Sequence, residues 1–301
     1  MTAQQEAIEH LRTVRDWIRF GVTQLEQSEV AYGQGTDNAL DESVFLVLRS
    51  LALPVDELDP FLEAKLLPHE RKRLYDVFER RCQDRVPAAY ILGESWLSGM
   101  RFIVNEHVLI PRSPISELIA ERFEPWLDNT FAPQKIVDVC TGSGCLAILA
   151  ALAFEDAEVV ATDISTQALD IAAKNVQAFG LGDRVTLFQS DMMEALEQDH
   201  SYELILCNPP YVNSQSMANL PPEFRHEPQL ALAGGDDGMT LVARLLSQIR
   251  TRIHPDGWLV LEIGHERTYF EAAFAHFNPI WLQTSTSGDQ IMLIAGRELI
   301  T

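Results

Sequence analysis

The residues best suited to do chemistry are Asn208-Pro209-Pro210-Tyr211, which close the apolar run Leu204-Ile205-Leu206-Cys207. A residue before proline is driven out of helical geometry, so Asn208 is expected at a strand end with its amide projecting past the sheet. Pro209 and Pro210 have fixed φ and no N–H, so their backbone offers carbonyl acceptors without competing donors. An amide oxygen, a free carbonyl and the face of Tyr211 together suit a planar NH2 group. Such a nitrogen, on a carboxamide or an amino-purine, is a poor nucleophile because its lone pair is delocalised. Two acceptors gripping its hydrogens turn the lone pair toward an electrophile, and orientation of this kind supplies roughly 7–11 kcal/mol in ideal intramolecular cases. Tyr211 would exclude water and present its π face to the reacting groups. A strand closed by a proline turn, with Tyr211 as ordinary core, is the plain alternative. Asn-Pro alone would favour that alternative; the whole tetrapeptide after an apolar strand favours chemistry.

A second set lies upstream. Thr141-Gly142-Ser143-Gly144 follows the predicted strand Ile136-Val137-Asp138-Val139-Cys140 and opens a helix from Leu146 to Phe154. Its glycines let backbone approach a ligand closely, and with Ala147 the run meets the G-x-G-x-x-[G/A] dinucleotide pattern, a weak signal alone. Asp163 ends the next strand, 163 − 144 = 19 residues beyond the second glycine, placed to accept from both ribose hydroxyls of an adenosine-type cofactor. Asp191 ends the third strand, where it either contacts an adenine amino group or is a solvated turn residue. These positions do not separate a nicotinamide dinucleotide from S-adenosylmethionine. The fourth strand does. Hydride transfer calls for an acid–base residue, usually His, Lys or Tyr, whereas Asn208 and two prolines grip an NH2 group. An electrophilic methyl opposite a gripped nitrogen is coherent chemistry, and Asp138 suits a pocket for a cationic sulfonium.

Composition narrows the class and the partners. A chain of 301 residues, 47% hydrophobic and 22% charged, has room for two domains and a substantial core. Lys+Arg 23 against Asp+Glu 44 leaves a net charge of −21, which argues against a phosphate backbone as main partner and suits a basic protein. Cys82, Cys140, Cys145 and Cys207 have no zinc-ligand pairing and read as reduced and buried. The eight histidines form no metal-spaced cluster, so no metal site is expected. Met1 to Phe20 has no signal-peptide core and Cys145–Phe154 is too short to span a bilayer, so the expected location is the cytoplasm and no membrane partner is expected.

These residues need elements to position them. Residues 1–92 read as a helical domain. Ile8, Leu11, Val14 and Ile18 form one helical stripe, and Asn38 or Asp37 caps a helix to about Leu51. Pro60 and Pro68 punctuate two more helices, and Arg71, Lys72 and Arg73 on the last are expected on a solvated face. Recognition is the expected task of this half. Residues 93–112 read as a linking β-hairpin turning at Ser98-Gly99, with Phe102 and Arg112 facing a cleft. From residue 113 to 301 strands and helices alternate, which implies an α/β domain with a parallel sheet covered on both faces. The later strands fall at Val159–Thr162, Val185–Phe188, Leu204–Cys207, Trp258–Ile263, near Trp281–Thr286 and Gln290–Ala295, the last antiparallel after a turn at Gly288-Asp289. Val212 to Gly238 reads as a long polar loop that contacts substrate.

With these residues laid out, the chain resembles the HemK-type glutamine methyltransferases over nearly its whole length. The resemblance rests on the helical N-terminal part, the hairpin, Leu109-Ile110-Pro111-Arg112, Asp138-x-x-Thr141-Gly142-Ser143-Gly144 and Asn208-Pro209-Pro210-Tyr211. It implies a Rossmann-like, seven-stranded class I S-adenosylmethionine-dependent methyltransferase domain behind an N-terminal helical substrate-recognition domain and a linking β-hairpin. It also implies methyl transfer to the side-chain amide nitrogen of a glutamine in a translation protein. Asn208, Pro209, Pro210 and Tyr211 would then be catalytic. Cofactor contacts would come from Asp138, Thr141, Gly142, Ser143, Gly144, Asp163, Ile164, Asp191, Met192 and Asn208, and substrate contacts from Phe102, Arg112, Asn208, Pro209 and Tyr211.

Two branches of that family differ in substrate. After Arg112 the release-factor branch continues Pro-x-Thr-Glu, whereas this chain has Ser113-Pro114-Ile115-Ser116-Glu117-Leu118. That run, and Leu220-Pro221-Pro222-Glu223-Phe224-Arg225-His226-Glu227-Pro228, look like the branch acting on large-subunit ribosomal protein L-three, a strongly basic partner for an acidic chain. The alternatives are the Gly-Gly-Gln glutamine of release factors, adenine-N6 methylation of nucleic acid, a cofactor-binding scaffold without turnover, and a dehydrogenase. Nucleic acid would require a basic groove and, for a duplex, base flipping. The implied mechanism is in-line displacement, with no evident general base in the motif.

Overall fold

In the computed structural model, which describes residues 2–285 and 288–300, Thr13 breaks the first apolar stripe into two helices, α1 (Ala3–His10) and α2 (Val14–Gln27). The break has a local cause. The Thr13 hydroxyl accepts from Asp16 N at 3.2 Å while the Asp16 carboxylate accepts from Thr13 N at 2.9 Å, a capping box that starts a new helix. Asn38 caps α3 (Ala39–Ser50), accepting from Asp41 N at 2.9 Å. Only a single 3₁₀ turn, Asp59–Phe61, forms around Pro60, where a helix was expected. Pro68 then opens α4 (Pro68–Cys82), followed by α5 (Ala88–Leu92). Of the basic set on α4, Lys72 and Arg73 are exposed as expected and Arg71 is not. Arg71 is buried and its Nη1 donates to the Ile8 carbonyl at 2.6 Å near the end of α1, and Arg73 Nη1 donates to Ser50 O at 3.0 Å.

The chain divides into two compact units, Met1–Glu94 with Pro221–His226 and Ser95–Leu220 with Glu227–Thr301. The short Pro221–His226 segment joins the helical unit through buried charge. Glu223 Oε1 accepts from Ala31 N and Arg85 Nη1 at 3.1 Å each and faces Arg81 Nη1 at 3.4 Å. Arg81 Nε donates to Glu42 at 2.6 Å. Arg81, Glu42 and Glu223 are all buried, and each finds an opposite charge there, which offsets the cost of leaving water.

The second unit begins at Ser95, inside β1 (Glu94–Leu97), which forms a ribbon with β2 (Met100–Ile103) through Ser98 and Gly99, both at positive φ as a two-residue hairpin turn requires. There follow α6 (Ile115–Ala120), β3 (Lys135–Val139), α7 (Cys145–Ala153), β4 (Glu158–Asp163), α8 (Thr166–Ala178), β5 (Val185–Gln189) and β6 (Tyr202–Cys207). The segment read as a polar loop is folded into β7 (Val212–Asn213), α9 (Ser214–Ala218), two 3₁₀ turns and β8 (Ala233–Gly235), which pairs with β7. The unit ends with α10 (Thr240–Ile249), β9 (Ile253–Glu262), α11 (Arg267–Ala273), β10 (Ile280–Leu282), β11 (Ile291–Ala295) and α12 (Gly296–Ile300). The strand expected near Trp281–Thr286 is thus β10, and its expected end at Thr286 lies outside the described residues.

Seven strands form one sheet in the order β10-β11-β9-β6-β3-β4-β5, with β11 antiparallel to both neighbours and the pairs from β9 to β5 parallel. Alternate residues of β6 feed two apolar cores, Leu204 and Leu206 on one face, Ile205 and Cys207 on the other. Phe102 does not face a cleft. It is 0% exposed in the first of these cores, its ring 5.3 Å from that of Phe179, because the hairpin packs its apolar face on α8.

Candidate active site

The chain runs outward from β3 to β4 and β5, then returns to β6 on the other side of β3. Ligands of open α/β sheets bind at the carboxyl ends of strands where the order reverses in this way. Both sequence motifs fall there, the glycine turn after β3 and Asn208 after β6, whose Cys207 pairs with Val139. Between them lies a cavity of about 210 Å³. It is lined by Gly142, Asp163, Ile164, Asp191, Met192 and Asn208 from the expected cofactor set, with Pro210 beside Asn208.

At the glycine turn, backbone and one carboxylate shape the wall. Gly142 has φ +56 and donates its N–H to Asp163 Oδ2 at 2.9 Å, while Asp163 Oδ1 accepts from Ser165 N at 2.9 Å. Burial pushes the Asp163 carboxyl above its ordinary range, against the pull of those N–H groups. Cys140 and Met192, also on the lining, hold φ +61 and +55, a region costly for side-chain-bearing residues and frequent at functional sites. Ile164 and Leu230 expose apolar side chains here, 46% and 58%, so an apolar ring has surface to cover. Asp191 is paired with Arg244 Nη2 at 2.5 Å. These features fit a ligand with a ribose diol, an apolar base and a positive charge.

Four other expected cofactor residues stand behind this wall. Asp138 is buried, its Oδ2 accepting from Thr141 Oγ1 at 2.5 Å and Ala147 N at 3.0 Å, so it braces the turn. Burial raises its carboxyl to about 7, with Thr141 and Ala147 opposing and the Asp163 charge adding to the rise. Ser143 gives its carbonyl to Asn175 Nδ2 at 2.8 Å, and Gly144 packs on Ala172 of α8. Asn175, fully buried, also exchanges hydrogen bonds with Ile103 N at 2.7 Å and Ile103 O at 3.0 Å, tying hairpin to glycine turn.

The surroundings of Asn208 are built differently. Tyr211 turns its hydroxyl to Glu262, donating to Oε1 at 3.0 Å, and Ser113 Oγ donates to Oε2 at 2.5 Å. Glu262 is buried at the end of β9. Burial drives the Tyr211 phenol well above its ordinary range and the Glu262 charge adds to it, so Tyr211 is a neutral donor. Burial also raises Glu262, opposed by the two hydroxyls and by Arg112. Arg112 holds Glu227 through both nitrogens at 2.5 and 2.8 Å, and Glu227 also accepts from Ile110 N at 3.1 Å. Pro209, Tyr211 and Arg112 therefore stand outside the cavity lining.

Sequence reasoning missed Glu262, Glu227, Asn175, Leu230 and Arg244. Glu262 had a usable signal, an acidic residue at the carboxyl end of a strand. Cys140, expected buried, instead reaches the cavity, and no group of His, Cys, Asp and Glu able to hold a metal occurs among the described residues.

Comparison with known proteins fits this geometry. Residues 116–235 match the model of the methyltransferase small domain. The ribosomal protein uL3 glutamine methyltransferase of Bordetella pertussis is 54% identical over 97% of this chain and 98% of that protein. Its counterparts in Burkholderia pseudomallei and Neisseria gonorrhoeae are 47% and 41% identical over 96% and 97% of this chain and of theirs. Among solved structures, the hMettl16 catalytic domain in complex with the MAT2A 3′UTR hairpin 1 superposes with TM-score 0.50 at 15% identity, covering 80% of this chain and 85% of that one, a likeness of fold.

Proposed function

The chain belongs to the ribosomal protein uL3 glutamine methyltransferases, and we propose from that membership and the site that it methylates a glutamine side chain of uL3. S-adenosylmethionine supplies the sulfonium methyl that passes to the amide nitrogen, with S-adenosylhomocysteine and one proton as the other products. The observation that carries the reading is that the Asn208 motif and the glycine turn meet at one cavity at the sheet's switch point.

In this reading Asp163 takes the ribose hydroxyls, Ile164 and Met192 flank the base, Asp191 meets its amino group and Gly142 approaches through backbone. The Asn208 side-chain oxygen and the Pro209 carbonyl each accept one hydrogen of the glutamine NH2, which aims its lone pair at the methyl. Pro210 and Tyr211 keep water from the nitrogen. Tyr211 is not the base, because burial and Glu262 hold its proton. Arg112 acts through Glu227, which ties Ile110 in place, in preference to contacting substrate. The helical unit is the region we assign to recognition of uL3, and the −21 charge suits a basic partner. Among the described residues no helix is long and apolar enough to cross a membrane, and a ribosomal protein substrate supports a cytoplasmic location.

Tritiated S-adenosylmethionine, offered with unmethylated uL3 and separately with unmethylated release factor, tests this reading. Label on a glutamine of uL3 is expected. Label confined to the release factor would overturn the substrate, and no label on either with cofactor bound would overturn the reaction.

A further inference from the structure

We propose that Glu262 is a positioning residue for methyl transfer, holding Tyr211 and through it the Asn208-Pro209-Pro210 backbone. The proposal rests on the reaction proposed above. Cys207 pairs with Leu261 across β6 and β9, so the next residues, Asn208 and Glu262, lie at the carboxyl ends of neighbouring strands, Glu262 still paired with Ile291 of β11. Each carboxylate oxygen of Glu262 serves one hydroxyl, Tyr211 on Oε1 and Ser113 on Oε2. Backbone also borders the Tyr211 ring. A Cβ at Gly264 would lie 2.4 Å from Tyr211 Cε2, so only glycine admits the ring there. The ring thus meets Gly264 along its Cε2 edge and, through its hydroxyl, a carboxylate that Ser113 holds in turn.

A purely structural role would not call for this chemistry. Two apolar side chains of equal volume fill such a site at no desolvation cost, and replacing a buried polar group by them is often neutral or stabilising. What the carboxylate adds is direction, because it admits one orientation of a phenol that sits three residues after Asn208. Fixing that ring fixes the carbonyl of Pro209, one of the two acceptors assigned to the glutamine NH2.

The test compares wild type with E262Q, E262M, Y211F and the double variant Y211F/E262M, measuring kcat, KM for uL3, S-adenosylmethionine Kd and thermal midpoint. We expect kcat to fall about tenfold in E262Q, where one oxygen becomes a donor, and further in E262M, with KM and Kd within about twofold. In the Y211F background E262M should cost less than about twofold more, because its effect runs through the same hydroxyl. Near-UV circular dichroism gives a readout independent of turnover, since the difference between wild type and Y211F should shrink when both carry E262M and the phenol loses its fixed orientation. Wild-type kcat in a folded E262M, losses that multiply, or an unchanged dichroic difference would each overturn the proposal. If E262M does not fold, E262Q and S113A carry the same comparison, and a kcat equal to wild type in both would overturn it. Failure of wild type to label uL3 would count against the reaction, while the dichroic comparison would still decide the role of Glu262.

Discussion

At the end of the cavity proposed for the cofactor, the glycine turn and residues at positive φ shape the chain, and the Asp163 carboxylate accepts from two N–H groups. At its acceptor end the cavity rests on side chains buried behind the wall, Ser113 and Tyr211 on Glu262, and Arg112 on Glu227. In the proposed reading the turn that takes the cofactor is shaped by chain geometry, and the wall that orients the weak nucleophile is held by side-chain hydrogen bonds with direction. Damage to the first end should therefore appear in cofactor affinity, and damage to the second in turnover.

Asn208→Asp is the largest test of that division. A carboxylate keeps an acceptor but adds a charge beside the reacting nitrogen, and kcat should fall on the order of 10²–10³-fold, the scale for losing one oriented polar group in an active site. S-adenosylmethionine Kd by calorimetry should hold within about threefold. Equal loss in both would show that Asn208 belongs to the cofactor end. Asp163→Ala probes the other side. Removing charge-assisted hydrogen bonds worth about 1.5–3 kcal/mol should weaken S-adenosylmethionine about 10–100-fold, with kcat at saturation changed far less. A large fall in saturated kcat would break the comparison.

Gly264→Ala comes next and should act on turnover and stability but not on cofactor affinity. The new methyl would press on Tyr211 from a backbone at φ +55, so kcat should drop about tenfold and the thermal midpoint should fall, while cofactor Kd stays put. A change in Kd of similar size would mean that the two ends are mechanically one.

How much of this was legible in the sequence follows the same division. The strands along the chain, the antiparallel last strand and the placement of the glycine turn, Asp163 and Asn208 come from hydrophobic periodicity and punctuation, which are local signals, whereas the order of the strands in the sheet comes from pairing between distant segments. The capping box at Thr13 was written in the sequence too, but an apolar stripe running through it hid the break between α1 and α2. The Glu262 network was not legible, because Ser113, Tyr211 and Glu262 lie up to 149 residues apart and meet only when β9 pairs beside β6. Phe102 and Arg71 failed for a related reason. Their types permitted a cleft or a solvated face, and tertiary packing on α8 and α1 decided otherwise. The segment after Tyr211 read as a loop because its elements are only two to five residues long.

The smallest expected effect concerns Asp138, which lies at the cofactor end yet touches only protein. Its carboxyl is raised from 3.8 to about 7, so the folded chain holds a proton there that the unfolded chain has lost. The stability this proton contributes is fully present below about pH 4 and is lost as pH rises through about 7. Asp138→Asn isolates the effect without breaking the turn, since Thr141 Oγ1 and Ala147 N both donate to one oxygen, Oδ2, which an amide carbonyl can replace. The midpoint of D138N relative to wild type should therefore rise from pH 5 to pH 8. A sulfonium ligand favours the ionised carboxylate, so wild-type Kd for S-adenosylmethionine should tighten by about threefold from pH 6 to pH 8. S-adenosylhomocysteine, with a neutral sulfur, should show a flatter profile, and D138N should flatten the first toward the second. Parallel slopes for both ligands in both proteins would show that the buried carboxylate braces the turn and does nothing for the charge, leaving the lining acids Asp163 and Asp191 to meet the cofactor.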